Sequence, residues 1–141
     1  MEGSGNLYLT EDEKNILLDI GREKRYPIVR LELHSSENAE AVSVALNYVR
    51  ITDPEDSMET VKARSAALKS LMEKGLVFID YTVRVWVSGD YDVYYKSKIY
   101  ELLCHTVMES AKQPGAVFNL PYMRKGYATL TLKGVKAVKQ L

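Results

Sequence analysis

Hydrophobic positions along this chain repeat with two different periods, and the changes of period mark its elements. Thr10-Glu-Asp-Glu13 has the capping-box pattern, with Leu9 placed as a hydrophobic staple. Ile16, Leu17 and Ile20 then fall on one face, so a first helix is expected to about Glu23. Tyr26-Pro27 interrupts it, and Ile28 to Leu33, β-branched at its start and partly alternating, fits a brief strand. Ser36 is a candidate cap for a second helix through about Val49, with Ala39, Val42, Ala45, Leu46 and Val49 as its buried stripe. Thr52 to Ser57 reads as a turn. From about Met58 to Lys74, Val61, Ser65, Leu68, Leu71 and Met72 share one arc at about 100° per residue, which predicts a third helix. Lys62, Ala66 and Lys69 lie together on its flank, and Gly75 supplies the left-handed residue that lets the chain leave it.

From Leu76 to Val87 every odd position is apolar or aromatic while Asp80, Thr82 and Arg84 take the other face, the pattern of a long half-buried strand. Ser88-Gly-Asp90 turns the chain. A helix over Asp92 to Lys112 would carry a wide apolar arc that includes Tyr95, Ile99, Leu102, Leu103 and Val107 and continues through Tyr100, Cys104 and Met108. Its only polar stripe is Lys98, Glu101, His105, Glu109 and Lys112. A helix so apolar has more than one buried side. Either both sides fill the monomer core, or one side meets a partner subunit, with Tyr100, Cys104 and Met108 as the two-fold contact. Pro114-Gly115 ends it, Ala116 to Leu120 reads as a short strand, Tyr122 to Gly126 as a loop, and Tyr127 to Leu132 as a returning strand before a last short helix.

Two phrases stand out in this succession. One is the helix end Leu71-x-x-Lys74-Gly75-Leu76-Val77, and the other is Leu130-Thr131-x-Lys133-Gly134. In this order they resemble the winged helix-turn-helix family, MarR-like and PadR-like regulators, where the first phrase ends the recognition helix and the second closes the wing. The resemblance implies an α+β fold, a winged helix-turn-helix with an extended wing. Gly75 and Leu130 stand 55 positions apart, so the wing would contain a helical insertion over residues 90–122, within a single domain at 9–141 behind a tail at 1–8. It further implies a dimeric transcriptional regulator whose partner is double-stranded DNA, the third helix entering the major groove and the wing touching adjoining phosphates. Matched by position, Thr60, Lys62, Arg64, Ser65 and Lys69 are the helix candidates, and Arg84, Arg124 and Lys125 the wing candidates. The alternative is a winged-helix interaction module whose apolar helix meets another protein and which does not bind DNA.

Charge sharpens this picture. The chain has 141 residues and no net charge, but residues 1–59 hold 13 acids and 6 bases while residues 60–141 hold 6 acids and 13 bases. No acid follows Glu109, whereas Lys112, Arg124, Lys125, Lys133, Lys136 and Lys139 do. Such clustering is the footprint that phosphate binding needs. A 46% hydrophobic content supports one substantial core. No basic leader and no apolar run of roughly 18 residues is visible, so a cytoplasmic protein with no membrane partner is expected. His34, His105 and Cys104 are too few and ill-spaced for a metal site, and no phosphate-loop, dinucleotide or nucleophile-elbow motif occurs. Neither an enzyme nor a cofactor is expected. Tyr81, Trp86, Tyr91, Tyr94 and Tyr95 form an aromatic cluster that would serve either core packing or a small-molecule pocket, with no motif to specify an effector.

Overall fold

The structure, a computed structural model, describes residues 8–141; the expected tail, 1–8, lies outside them except for Tyr8. The fold is α+β. Its elements are α1 (Glu11–Arg22), β1 (Pro27–His34), β2 (Val42–Val49), α2 (Met58–Glu73), β3 (Val77–Asp80), a 3-10 turn (Ser88–Tyr91), α3 (Asp92–Tyr95), α4 (Lys98–Ala111), β4 (Leu120–Leu130) and α5 (Leu132–Lys139). The strands form one antiparallel sheet in the order β2-β1-β4-β3.

The first and third expected helices, now α1 and α2, form where the sequence places them, and their ends explain why. Thr10 Oγ1 accepts from the Glu13 backbone N–H at 3.2 Å, and Glu13 returns the bond by accepting from the Thr10 N–H at 2.9 Å. The second Glu13 carboxylate oxygen accepts from Ser70 Oγ and Lys74 Nζ, both at 2.8 Å, so the cap of α1 also clamps α2. At the far end of α2 the Gly75 N–H donates to the Met72 carbonyl and the Leu76 N–H to the Leu71 carbonyl, the Schellman pattern. Gly75 has φ +75°, which a residue with a Cβ adopts only under strain.

The expected second helix is corrected: Val42–Val49 is strand β2, antiparallel to β1. Val29 pairs with Val49 and Leu31 with Leu46, so three residues of β2 match two of β1. That bulge, where Tyr48 takes φ 53°, turns two apolar residues three apart onto one sheet face. A spacing of three, read locally, is indistinguishable from one helical turn.

The long strand expected over Leu76 to Val87 is also corrected. Only Val77–Asp80 pairs with β4. The Asp80 carboxylate accepts from the Thr82 N–H at 2.7 Å and its hydroxyl at 2.6 Å, and this turn takes the chain off the sheet. Tyr81 instead lies across β4 at Gly126, where a Cβ would meet its ring at 2.7 Å, and its hydroxyl donates to Asn47 Oδ1 at 2.8 Å. The expected single helix over 92–112 is broken at Lys96 and Ser97, with Ser97 Oγ capping α4 through the Tyr100 N–H at 3.1 Å. The separate short strand expected at 116–120 does not form, residues 116–119 being irregular, and the loop expected at 122–126 lies within one strand, β4. Tyr122 to Gly126 pair one by one with Glu32 to Ile28 of β1, a partner too distant in sequence for local patterning to reveal.

The core lies on both sides of this sheet. On one, Leu17 and Ile20 of α1 and Leu68 and Leu71 of α2 pack with Ile28, Val77 and Ala128. On the other, Ile99, Leu103 and Val107 of α4 join Tyr91, Tyr94 and Val61 over Val29, Leu31, Val49 and Met123. Helix α4 therefore buries one side in this core, while Leu102 and Met108 stay 50% and 63% exposed. Nothing lies within 4 Å of a Cβ built at Gly75, so only backbone strain opposes a side chain there. Gly75→Val is expected to lower stability by at least about 1 kcal/mol in urea unfolding. An unchanged midpoint would contradict the cap.

Candidate functional site

Strand β4 pairs with β1 over Leu120 to Tyr127, but with β3 only over Tyr127 to Leu130. Along the rest of its length one edge has no strand beside it among the described residues. The segment 81–87 bows out past this edge, and the 3-10 turn, α3 and α4 return over the sheet. Two tyrosines pin that return: Tyr91 Oη donates to the Gly126 carbonyl at 2.8 Å and Tyr94 Oη to the Pro27 carbonyl at 2.6 Å. Burial pushes both phenols upward, Tyr94 to about 12, so both remain donors. Asp90 completes the attachment, taking both Arg25 bonds at 2.7 and 3.0 Å and the Tyr127 hydroxyl at 2.9 Å.

A cavity of about 280 Å³ remains between the bowed segment, α4 and the open edge. It is lined by Tyr81, Val83, Trp86, Tyr95, Tyr100, Pro121, Tyr122, Met123, Arg124 and Lys125. Successive residues of a strand point to opposite faces, so only an edge without a neighbour brings Arg124 and Lys125 to one cavity. Lys125 Nζ donates to Tyr95 Oη at 2.7 Å and stands 5.1 Å from the ring centres of both Trp86 and Tyr95. It has no carboxylate partner among the described residues. Tyr95 is braced edge-on by Tyr100, with centroids 5.3 Å apart at 84°.

Arg124 is fixed from the opposite face. Its Nε and Nη2 donate to the two Glu32 oxygens at 2.8 and 3.1 Å, Arg30 Nε donates at 2.6 Å, and His34 Nε2 lies 2.7 Å away. The Glu32 side chain is wholly buried. Burial alone would raise its pKa, but bonds from Arg124, His34 and Arg30 outweigh that and hold it down at about 2. His34 stacks on Tyr122 at 4.3 Å, and the Arg124 guanidinium lies 5.3 Å from the same ring. Arg30 and Glu32 alternate within the strand expected over Ile28 to Leu33, but His34 lies one residue beyond it and Arg124 lies 92 residues from Glu32, so the cluster was not legible.

The eight expected DNA contacts divide sharply. Lys62, Lys69 and Arg84 are exposed and make no bond or ion pair among the described residues. Thr60 is exposed, with its hydroxyl taken by Ser57 Oγ at 3.0 Å. Arg64 is held by Asp56 at 2.7 Å and by the Arg50 carbonyl at 3.0 Å, and Ser65 Oγ points inward to the Asn47 carbonyl at 2.6 Å. Arg124 and Lys125, expected in a wing-tip loop, sit in mid-strand at the cavity. Of the expected dimer contacts, Tyr100 and Cys104 are half-buried and Met108 is exposed. Burial first, then the neighbouring Cys104, raises the Tyr100 pKa to about 12. The aromatic cluster divides, with Tyr91 and Tyr94 packed inside and Tyr81, Trp86 and Tyr95 around the cavity.

No protein-family model, curated protein or solved structure matches the chain. Among the described residues no cluster of His, Cys, Asp and Glu could hold a metal ion, and no helix is long and apolar enough to cross a membrane.

Glu13 is also held at about 2: burial raises it, and bonds from Lys74, Thr10 and Ser70 lower it by more. Both folded values lie below the ordinary 4.5, so both carboxylates stabilise the fold fully above that pH. Their contribution is lost as pH falls from about 4.5 toward about 2. Urea midpoints measured against pH should drop through that window, and Glu32→Gln should make the drop shallower. A midpoint as high at pH ~3 as at pH ~6 would refute the assignment.

Proposed function

We propose that this protein is a DNA-binding regulator of winged-helix type. The observation that carries the reading is the outward stripe of α2, where Lys62 and Lys69 stand exposed, with no ion-pair partner among the described residues, on either side of exposed Ala66. Two free lysines seven residues apart span roughly 10 Å at 1.5 Å per residue, and a small residue between them lets a phosphate backbone approach closely. The helix is well supported for such a role: α1 and β2 pack behind it, and Gly75 leads directly into the β3–β4 pair. Arg84 projects from the bowed segment that follows β3, the place a wing occupies. A helix-turn-helix has a second helix before its recognition helix, whereas strand β2 precedes α2 here, so the reading rests on the α2 surface and not on that motif. The α2 stripe has no Asn, Gln or clustered Arg, so phosphate contact dominates and base readout is weak.

A titration of a genomic duplex pool at several salt concentrations tests this reading. Binding should weaken steeply with salt, and Lys62→Gln or Lys69→Gln should each reduce the log–log slope by about one. Absence of duplex binding at low salt would remove the regulator reading.

The exposed side of α4 favours a second reading, that of an interaction module, and also supports assembly of the regulator as a homodimer. Leu102 borders a groove with Leu33, Ala45 and Leu46, and Met108 stands clear of the core. Because Met108 is 63% exposed, Met108→Asp should leave the circular dichroism spectrum intact while converting dimer to monomer in sedimentation equilibrium. A wild-type chain that is monomeric at micromolar concentration rules out the dimer.

A further inference from the structure

The cavity at the open edge of β4 is separate from the α2 stripe, and its lining has an unusual balance. Five of its ten side chains are aromatic, two are cationic and none is acidic. We propose that it binds an unpaired nucleotide of a single-stranded nucleic acid, the base against the rings and the phosphate on Lys125 and Arg124.

The rings are free for this task. Tyr91 and Tyr94, which anchor the segment returning over the sheet, are buried, whereas Trp86 and Tyr95 are 44% and 47% exposed and line the cavity. Exposed rings beside a cation suit a base, because every base has a flat π-face and stacking tolerates any sequence. The cations are held in advance. Lys125 is steered by Tyr95 and Trp86 rather than neutralised by a carboxylate, so its charge is available to an anion. Arg124 is locked by Glu32 through Nε and Nη2, which leaves Nη1 outside that pair. Neither side chain needs further ordering to meet a phosphate.

The backbone adds a third element. On the side away from β1, the β4 edge between Pro121 and Lys125 carries peptide groups that no strand pairs among the described residues. Such groups can bond the polar edge of a base. A duplex meets none of these conditions, since its bases are stacked and paired and their faces are covered. A cavity of about 280 Å³ walled by α4 and the bowed segment is scaled to one base with its phosphate, not to a helix of paired strands.

Trp86 is the only tryptophan in the chain, so its fluorescence reports on this cavity alone. The probes are an eight-nucleotide oligothymidylate, thymidine monophosphate and a blunt duplex. The oligonucleotide should quench Trp86 saturably. The mononucleotide should compete at the same site at least about tenfold more weakly, lacking flanking phosphates, and the duplex should leave the signal unchanged. Lys125→Gln keeps a hydrogen-bonding group near Tyr95 and should lower the salt slope by about 0.7. Tyr95→Leu should weaken binding on the order of tenfold, with circular dichroism checking that both variants fold. A Lys62→Gln, Lys69→Gln double variant should bind the oligonucleotide as wild type does, so this site and the duplex reading stand or fall separately. No quenching by the oligonucleotide, equal quenching by the duplex, or full binding by folded Lys125→Gln and Tyr95→Leu would overturn the proposal.

Discussion

The pairing of β1 with β4 is the constraint on which the rest of this molecule depends. Eight residues of one strand meet eight of the other, Pro27 opposite Tyr127 through His34 opposite Leu120, across some of the longest separations in the chain. All the intervening elements must fit into the loop this ladder closes. A buried charge sits in the middle of it: Glu32 on β1 takes Arg124 from β4 and Arg30 and His34 from its own strand. A carboxylate with no exposure is costly unless both its oxygens are satisfied, and here both are. A slip of one residue would move Arg124 to the other face and leave Glu32 without that partner, so the ion pair specifies register as well as stabilising the fold.

Register then determines what the edge can do. Because β3 leaves β4 after Asp80, the edge between Pro121 and Lys125 stays open, and open edges in soluble proteins are ordinarily blunted. Three devices do that here. Pro121 removes a donor, Arg124 and Lys125 place charge beside the edge, and the bowed segment 81–87 stands in front of it. The same devices produce the cavity, so protection of the edge and formation of the cavity proposed to take a nucleotide have one structural cause.

The two motif phrases meet in space through three polar bonds. The Thr131 N–H donates to the Leu76 carbonyl at 3.1 Å, Thr131 Oγ1 to the Gly75 carbonyl at 2.7 Å, and Lys133 Nζ to the Lys74 carbonyl at 3.0 Å. The second phrase thus satisfies carbonyls that the end of α2 leaves open, while Thr131 also caps α5 through the Gly134 N–H at 3.0 Å. This joint sets the direction in which α2 presents Lys62 and Lys69, linking the helix end to the surface proposed for DNA.

Where structure was decided within a few residues, the sequence could be read directly. The capping box at Thr10 and Glu13, the arc of Val61, Leu68 and Leu71 and the left-handed Gly75 are local events, and each is where patterning puts it, whereas the cap at Thr131 falls inside what reads as a strand. The exposure of Lys62 and Lys69 follows from the same helical geometry. What was not legible required a partner far away. Val42–Val49 is a strand because β1 offers an edge, and its bulge imitates the spacing of a helix. Tyr122–Gly126 is a strand because β1 lies beside it. Arg64, Ser65 and Arg124 are drawn into internal bonds by Asp56, Asn47 and Glu32, none of which is its neighbour in the chain. The sequence by itself determined α1, α2 and the turns that end them, and the gathering of basic residues in the second half. Only the tertiary structure decided the sheet register, which cations remain free and which rings surround a cavity, because pairing and burial depend on contacts that local periodicity does not encode.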